Sequence, residues 1–467
     1  MTAICQRFIV RLLVTAIVIY IGAMPFYSSL GGSAHDAARL AQIPLFLLSA
    51  VTLIINIKRL PDSTGYQQFG LAALAVLAGM SCASATDPGA ALRETTLWIS
   101  LLTLSAAVFV AGVEGWMHLI IRVVVAAWLV YSAFFFLAWT ANLLSHGETH
   151  FWLMVPGFDN PRFLNHVQTV AIPLLVAATA QASTRRATSA LSWIALALCF
   201  AMLIGLVARA SAISLLAGSL VALLVFGRAA RPFIGRIFLG GVLGLLIYIL
   251  IFQGIPYCLD LKTISSPHTS ADLVSDHSRL YLWKIALDNI KTTPFLGVGP
   301  MHYAAQINGR GAHPHNIYLQ LAAEFGLPFF LLLAVMIAAF VKRTICQIRL
   351  TSQAPDIITI ATTAALASAL VDGAFSGNFV MPMAQTWIYL TAGLFLAKVW
   401  RPIAVQPLAQ TTNAVGVAVL VGIFSLQIWY SIETIHEYLH KPTTINSRPS
   451  LPETEANSPR FWLDGWL

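Results

Sequence analysis

Thirteen long apolar runs decide what this chain can fold into. They cover about residues 8–27, 40–57, 68–85, 95–113, 118–143, 166–183, 189–207, 211–227, 237–254, 316–341, 356–373, 382–399 and 413–432. A bilayer core is crossed by roughly 20 helical residues. In that solvent only a helix or a closed barrel satisfies every backbone N–H and C=O. The chain is 58% hydrophobic and only 10% charged over its 467 residues. A soluble domain carries about 25% charged residues, so no soluble fold accommodates this composition. The pattern predicts an all-α polytopic membrane protein with 12–13 transmembrane helices, twelve if one run is re-entrant or interfacial.

The formal net charge is +8, and its placement explains it without nucleic acid. With Arg7 and Arg11 inside, the basic groups Lys58–Arg59, Arg122, Arg185–Arg186, Arg228 to Arg236, Lys342 to Arg349 and Lys398–Arg401 fall on that same side. Such a bias orients membrane proteins toward the cytoplasm and toward anionic membrane lipid. The organisation expected is an N-terminal bundle over 1–253, an outer loop over 254–315, C-terminal helices over 316–433 and a polar outer tail over 434–467 with Pro442, Pro449, Pro452 and Pro459. The first run has no small-residue cleavage site and reads as a retained span. Cys5, Cys82, Cys199, Cys258 and Cys346 are scattered, without metal or disulfide spacing.

Two outer segments are long. One, from Leu144 to Asn165, holds His146, Glu148, His150, Phe151, Trp152, Asp159 and Arg162. The other, before residue 316, holds five of the twelve histidines: His268, His277, His302, His313 and His315. A helix over 278–292 is expected there. Leu280, Trp283, Leu287 and Ile290 recur three or four apart, Ser275 or Asp276 caps it, and Pro294 stops it. It should lie on the outer leaflet or roof the bundle, with Trp283 as anchor.

Candidate chemistry gathers at this outer side. Arg209 sits between two apolar runs in a very short turn. It either snorkels to lipid phosphates or turns its planar fork to an anionic ligand. Arg279, in the first turn of the predicted helix, and Arg162 share its side. In His313-Pro314-His315-Asn316, residues two apart can face alike in extended chain. Asn316 can cap the next helix, and a neutral imidazole at that mouth can serve as general base. The bland alternative is a polar pair that only caps the helix. Zinc needs a third ligand. His268, Asp272, Asp276 and His277 fit no known spacing, so no metal is expected. Glu324 and Gly326 should follow on the same helix, with Glu324 either paired to one of these arginines or facing the cavity, and Asp372 reads alike. No P-loop, dinucleotide fingerprint or carboxylate pair occurs.

These residues resemble the O-antigen ligase family, in a wider group with O-antigen polymerases and bacterial O-linked oligosaccharyltransferases. The resemblance spans about residues 205–330 and rests on Arg209 with the small residues after it. It also rests on Arg279, Trp283, Pro294, Gly297 and Gly299, then His313 to Asn316, Tyr318, Leu319, Gln320, Glu324 and Gly326. It implies a GT-C-like glycosyltransferase of the bacterial inner membrane with its active site facing the periplasm. The donor would be an undecaprenyl-diphosphate-linked glycan and the acceptor lipid A–core, with no cofactor. Arg209 and Arg279 would hold the diphosphate, and a histidine would activate the acceptor hydroxyl: His315 by its place before Asn316, His313 as second choice. Arg162 joins the arginines on charge and location alone. A single dominant outer loop and a short tail favour the ligase over a polymerase or a protein oligosaccharyltransferase. A lipid-linked glycan transporter would call for internal repeats.

Overall fold

The computed structural model describes residues 3–29, 32–60, 65–146, 148–150, 154–181, 186–264, 277–306, 308, 310–350, 355–400, 410–440 and 460–463. Along them run α1 (Ala3–Gly22), α2 (Ala34–Ile55), α3 (Gly65–Ser84), α4 (Pro88–Val113), α5 (Met117–His146), β1 (Glu148–His150), α6 (Pro161–Gln181), α7 (Arg186–Gly205) and α8 (Arg209–Phe226). Then follow α9 (Arg231–Ile247), α10 (Gly254–Cys258), β2 (Lys262–Ile264), α11 (His277–Thr292), α12 (Ile317–Phe325), α13 (Leu327–Leu350), α14 (Ile357–Asp372), α15 (Pro382–Val399) and α16 (Gln410–His440). The strands pair in parallel, Glu148 with Lys262, and tie the segment after α5 to the segment after α10.

The fold is a helical membrane bundle, and each apolar run of the sequence falls mainly on helix over its described residues. Ten stretches among the described residues are long and apolar enough to span a membrane, against the 12–13 expected. One of the ten, Arg209–Cys258, contains two of the expected runs, broken at Gly227 with φ +55°. α14 is a shorter apolar helix, and α15 buries Gln385, Thr386 and Thr391.

Packing follows membrane rules, in which small residues let helices approach closely. α8 lays Gly218 and Ala222 on α14, where a Cβ on Gly218 would fall 2.1 Å from Ser368 Oγ. Gly240 and Gly244 of α9 meet α7 in the same way, 2.4 Å from Phe200 Cβ at Gly244. The other face of α8 exposes Leu216, Leu220 and Leu224. One turn apart, they form the apolar stripe that hydrocarbon accepts and water does not.

Two elements differ from the pattern expected. The run 316–341 is not one helix. α12 ends at Phe325, Gly326 takes φ +86°, and α13 starts anew at Leu327. An apolar run hides such a break, because both pieces are greasy. α11 packs chiefly through Leu282, Ala286 and Asn289, joined from the predicted stripe by half-buried Ile290, whereas Leu280 is 60% and Leu287 45% exposed. It therefore roofs α12 with one face and turns Leu280 and Leu287 outward. Its expected caps Ser275 and Asp276, together with His268, Asp272, Phe151, Trp152 and the four tail prolines, lie outside the described residues.

Candidate active site

The loop between α11 and α12 is laid along α12 by backbone hydrogen bonds. Val298 N–H donates to Ala323 O at 2.9 Å, Gly299 N–H to Glu324 O at 3.0 Å and Leu327 N–H to Pro294 O at 2.8 Å. Approach this close needs glycine: a Cβ on Gly297, which has φ +68°, would fall 2.3 Å from Glu324 O. Left-handed φ is cheap only for such a residue.

On this support the loop delivers both histidines to the start of α12. His313 is 1% exposed and lies against Gly377, whose Cβ would fall 2.5 Å from the ring Cε1. His315 N–H donates to His313 Nδ1 at 3.2 Å. An accepting Nδ1 leaves the proton on Nε2. That N–H is buried with no hydrogen-bond partner among the described residues. Burial first, and then the neighbouring His315, holds the His313 pKa well below its ordinary 6.5, so the ring is neutral. The rings of His313 and His315 stand 4.1 Å apart. His315 is half-buried and takes φ +51°, a turn rather than extended chain. Asn316 caps α12 as expected, its side chain accepting from Tyr318 N–H and Leu319 N–H at 3.0 Å.

The three arginines lie on helix starts at the same end of the bundle. Arg279 is in the first turn of α11, half-buried. One turn on, Leu282 Cδ1 and His315 Nε2 lie 3.5 and 3.6 Å from where a Cβ on Gly311 would be. Arg209 opens α8 and is exposed, presented by a turn in which Val207 takes φ +51°. Arg162 is exposed in the first turn of α6. Ser211 Oγ donates to Asn165 O at 3.2 Å, His166 Nδ1 meets Asp372 Oδ2 at 2.9 Å, and Ile317 N–H donates to Gly373 O at 2.8 Å. These contacts join the starts of α6, α8 and α12 to the end of α14.

Residues 194–334 match the family model described as O-antigen ligase. This chain carries an O-antigen ligase family domain. The matched segment includes Arg209, Arg279, His313, His315 and Glu324, and excludes Arg162. The match covers 141 of the chain's 467 residues and supports, in general terms, an activity of the ligase or polymerase type. No curated protein and no solved structure matches the chain.

Around the O-antigen ligase domain the structure adds buried polar groups to those that the sequence singles out. His166 is buried against Asp372. His35 lies beside Asp36, and the carboxylate of Asp159 accepts from Ala34 N–H at 3.0 Å and His35 N–H at 2.7 Å, anchoring the start of α2. Arg39 is buried with its guanidinium on Gln42, Gln385 and Val380 O. Glu324 is paired not with one of the three arginines expected but with Arg460 of the tail. A polar residue inside an apolar run is the available signal, and it marks His166, Asp372 and Glu324. Arg460 lies in no apolar run.

Proposed function

We propose that this protein is an O-antigen ligase that transfers a glycan from undecaprenyl diphosphate to a lipid A–core acceptor at the periplasmic face of the bacterial inner membrane. The observation that carries this reading is the contact of His313 and His315 at the mouth of α12, within the family segment and among helix starts bearing three arginines. The one-sided distribution of lysine and arginine between the helices supports the periplasmic orientation.

In this reading His315 takes the proton from the acceptor hydroxyl, a role worth about 10²–10⁴ in rate. The freed oxygen bonds to the anomeric carbon as that carbon's bond to the carrier diphosphate breaks. The diphosphate leaves with its lipid, and Arg209, Arg279 and Arg162 neutralise the charge it gains. His313, neutral with its proton on Nε2, offers a donor to a sugar or acceptor oxygen. Because the diphosphate is already an activated leaving group, neither a metal ion nor ATP is called for. Direct attack inverts the anomeric configuration, which linkage determination on product from a donor of known configuration checks.

Complementation of a ligase-deficient strain, read as lipopolysaccharide banding, tests the assignment. A glycan ladder on core lipid is expected. Lengthening of carrier-linked glycan without a core-linked ladder would instead make the protein a polymerase.

A further inference from the structure

Residues 460–463 lie inside the same end of the bundle as the two histidines, although the sequence reads there as polar tail. Arg460, Phe461 and Trp462 are each 1% exposed. Arg460 Nη2 donates to Glu324 Oε2 at 2.7 Å and to Glu94 Oε1 at 3.2 Å. The Gln320 amide oxygen, turned toward the guanidinium, accepts from Nη1 and Nη2 at 2.9 and 3.0 Å. The Phe461 ring lies against two more guanidinium groups, with Arg39 Cζ 5.1 Å and Arg93 Cζ 4.6 Å from its centroid. Arg39 Nε also donates to the Phe461 carbonyl at 3.3 Å, and Leu463 N–H donates to Asp36 Oδ1 at 2.8 Å.

Glu324 is the point where this segment meets the histidine loop. Its Oε1 accepts from Tyr303 N–H at 3.2 Å, and its carbonyl accepts from Gly299 N–H and Ser81 Oγ at 3.0 Å. Tyr303 in turn donates its hydroxyl proton to Leu282 O of α11 at 2.8 Å. A carboxylate with 0% exposure needs a partner cation to stay charged. Burial works against the Arg460 charge, and the carboxylates of Glu324 and Glu94 more than restore it, leaving its pKa above the ordinary value.

We infer that Arg460 is a positioning residue for the histidine loop: the folded-back segment clasps Glu324, and through Glu324 holds the loop bearing His313 and His315 against α12. The inference deepens the transferase reading and rests on it only where it concerns turnover.

Two measurements on the full chain test it. Ala304→Cys, at a position 6% exposed beside Tyr303, reports the loop by its rate of reaction with a maleimide, read by mass spectrometry of the peptide that contains residue 304. Labelling is slow with Arg460 present. Removing Arg460 alone strands the Glu324 carboxylate whereas removing both does not, and Glu94 keeps the nearby charges of Arg39 and Arg93, so labelling rises at least about tenfold in Arg460→Gln and returns to within about threefold in Arg460→Gln/Glu324→Gln. Without the cysteine, Arg460→Gln lowers kcat at least about tenfold with the donor KM within about threefold, and the double variant recovers. Unchanged labelling in Arg460→Gln overturns the clasp whatever the turnover. Loosened loops in single and double variants alike, with falling Tm, reduce Arg460 to a fold-stabilising residue and also overturn it. Faster labelling with unchanged kcat overturns positioning. Failure of the unaltered protein to transfer glycan sinks the ligase reading alone and leaves the clasp to be judged by labelling.

Discussion

The backbone N–H of His315 points at Nδ1 of His313, 3.2 Å away. This contact assigns the two imidazoles different states. His313 is held as a neutral Nε2–H donor in a buried position, and its accepting nitrogen is already occupied. In the proposed mechanism it is the half-buried His315 ring that takes a proton from an incoming hydroxyl. The contact also folds the chain between them tightly enough that His315 adopts φ +51°, a conformation rare outside glycine but several-fold enriched for His, Asn and Asp.

That backbone suggests which substitution isolates the chemistry. Asn tolerates left-handed φ and lacks the basic nitrogen. In His315→Asn, glycan transfer should fall by at least about 10²-fold, with carrier-linked glycan accumulating and Tm in detergent unchanged. Transfer at the native rate would remove His315 as the base.

His313 gives stability a pH dependence of definite sign. Its pKa in the folded protein lies well below the ordinary 6.5, chiefly through burial. At a pH under 6.5 the unfolded chain binds a proton that the folded one refuses, so stability is complete above that value and is lost as the pH falls toward the folded pKa. The slope approaches about 1.4 kcal/mol per pH unit for one proton. Tm recorded from about pH 7.5 down to 5.5 should therefore fall less steeply in His313→Gln than in the native protein. Parallel curves would mean that His313 takes up its proton without penalty.

The break between α12 and α13 should be intolerant of a side chain. Gly326 has φ +86°, and a Cβ there would meet Phe295 O at 2.3 Å. Gly326→Ala is expected to cost about 1–3 kcal/mol from backbone strain, and to weaken transfer because the Pro294–Gly299 turn rests on it. Gly22→Ala is the control, since nothing lies within 4 Å of its Cβ position. Equal Tm values for the two variants would contradict the backbone contact.

What was legible in the sequence divides along physical lines. The helices are visible because hydrocarbon forces internal backbone pairing wherever an apolar run is long. The Asn316 cap is visible because capping is local. The break at Gly326 is hidden within continuous apolar sequence. The packed face of α11 is hidden because lipid welcomes Leu280 and Leu287 as readily as a protein core would. The Arg460–Glu324 pair is hidden because its partners are 136 residues apart and nothing local to Arg460 announces a buried ion pair. Helix periodicity is a local signal, whereas the polar contacts that support this site are mostly non-local.

Arg209 separates the two roles left open for an arginine at a membrane hairpin. It is exposed at the first position of α8, after a turn in which Val207 is strained at φ +51°. A snorkelling side chain asks only for positive charge, and lysine supplies that equally well. A diphosphate clamp asks for two parallel N–H donors in one plane, which an ammonium lacks. Arg209→Lys should therefore lower kcat/KM for the lipid-linked donor by at least about tenfold, the loss of one charge-assisted hydrogen bond at about 1.5–3 kcal/mol, while Tm and membrane insertion stay at native values. Initial rates against donor concentration in detergent check this. Native kcat/KM in the lysine variant would assign Arg209 to the lipid headgroups and leave Arg279 and Arg162 to hold the diphosphate.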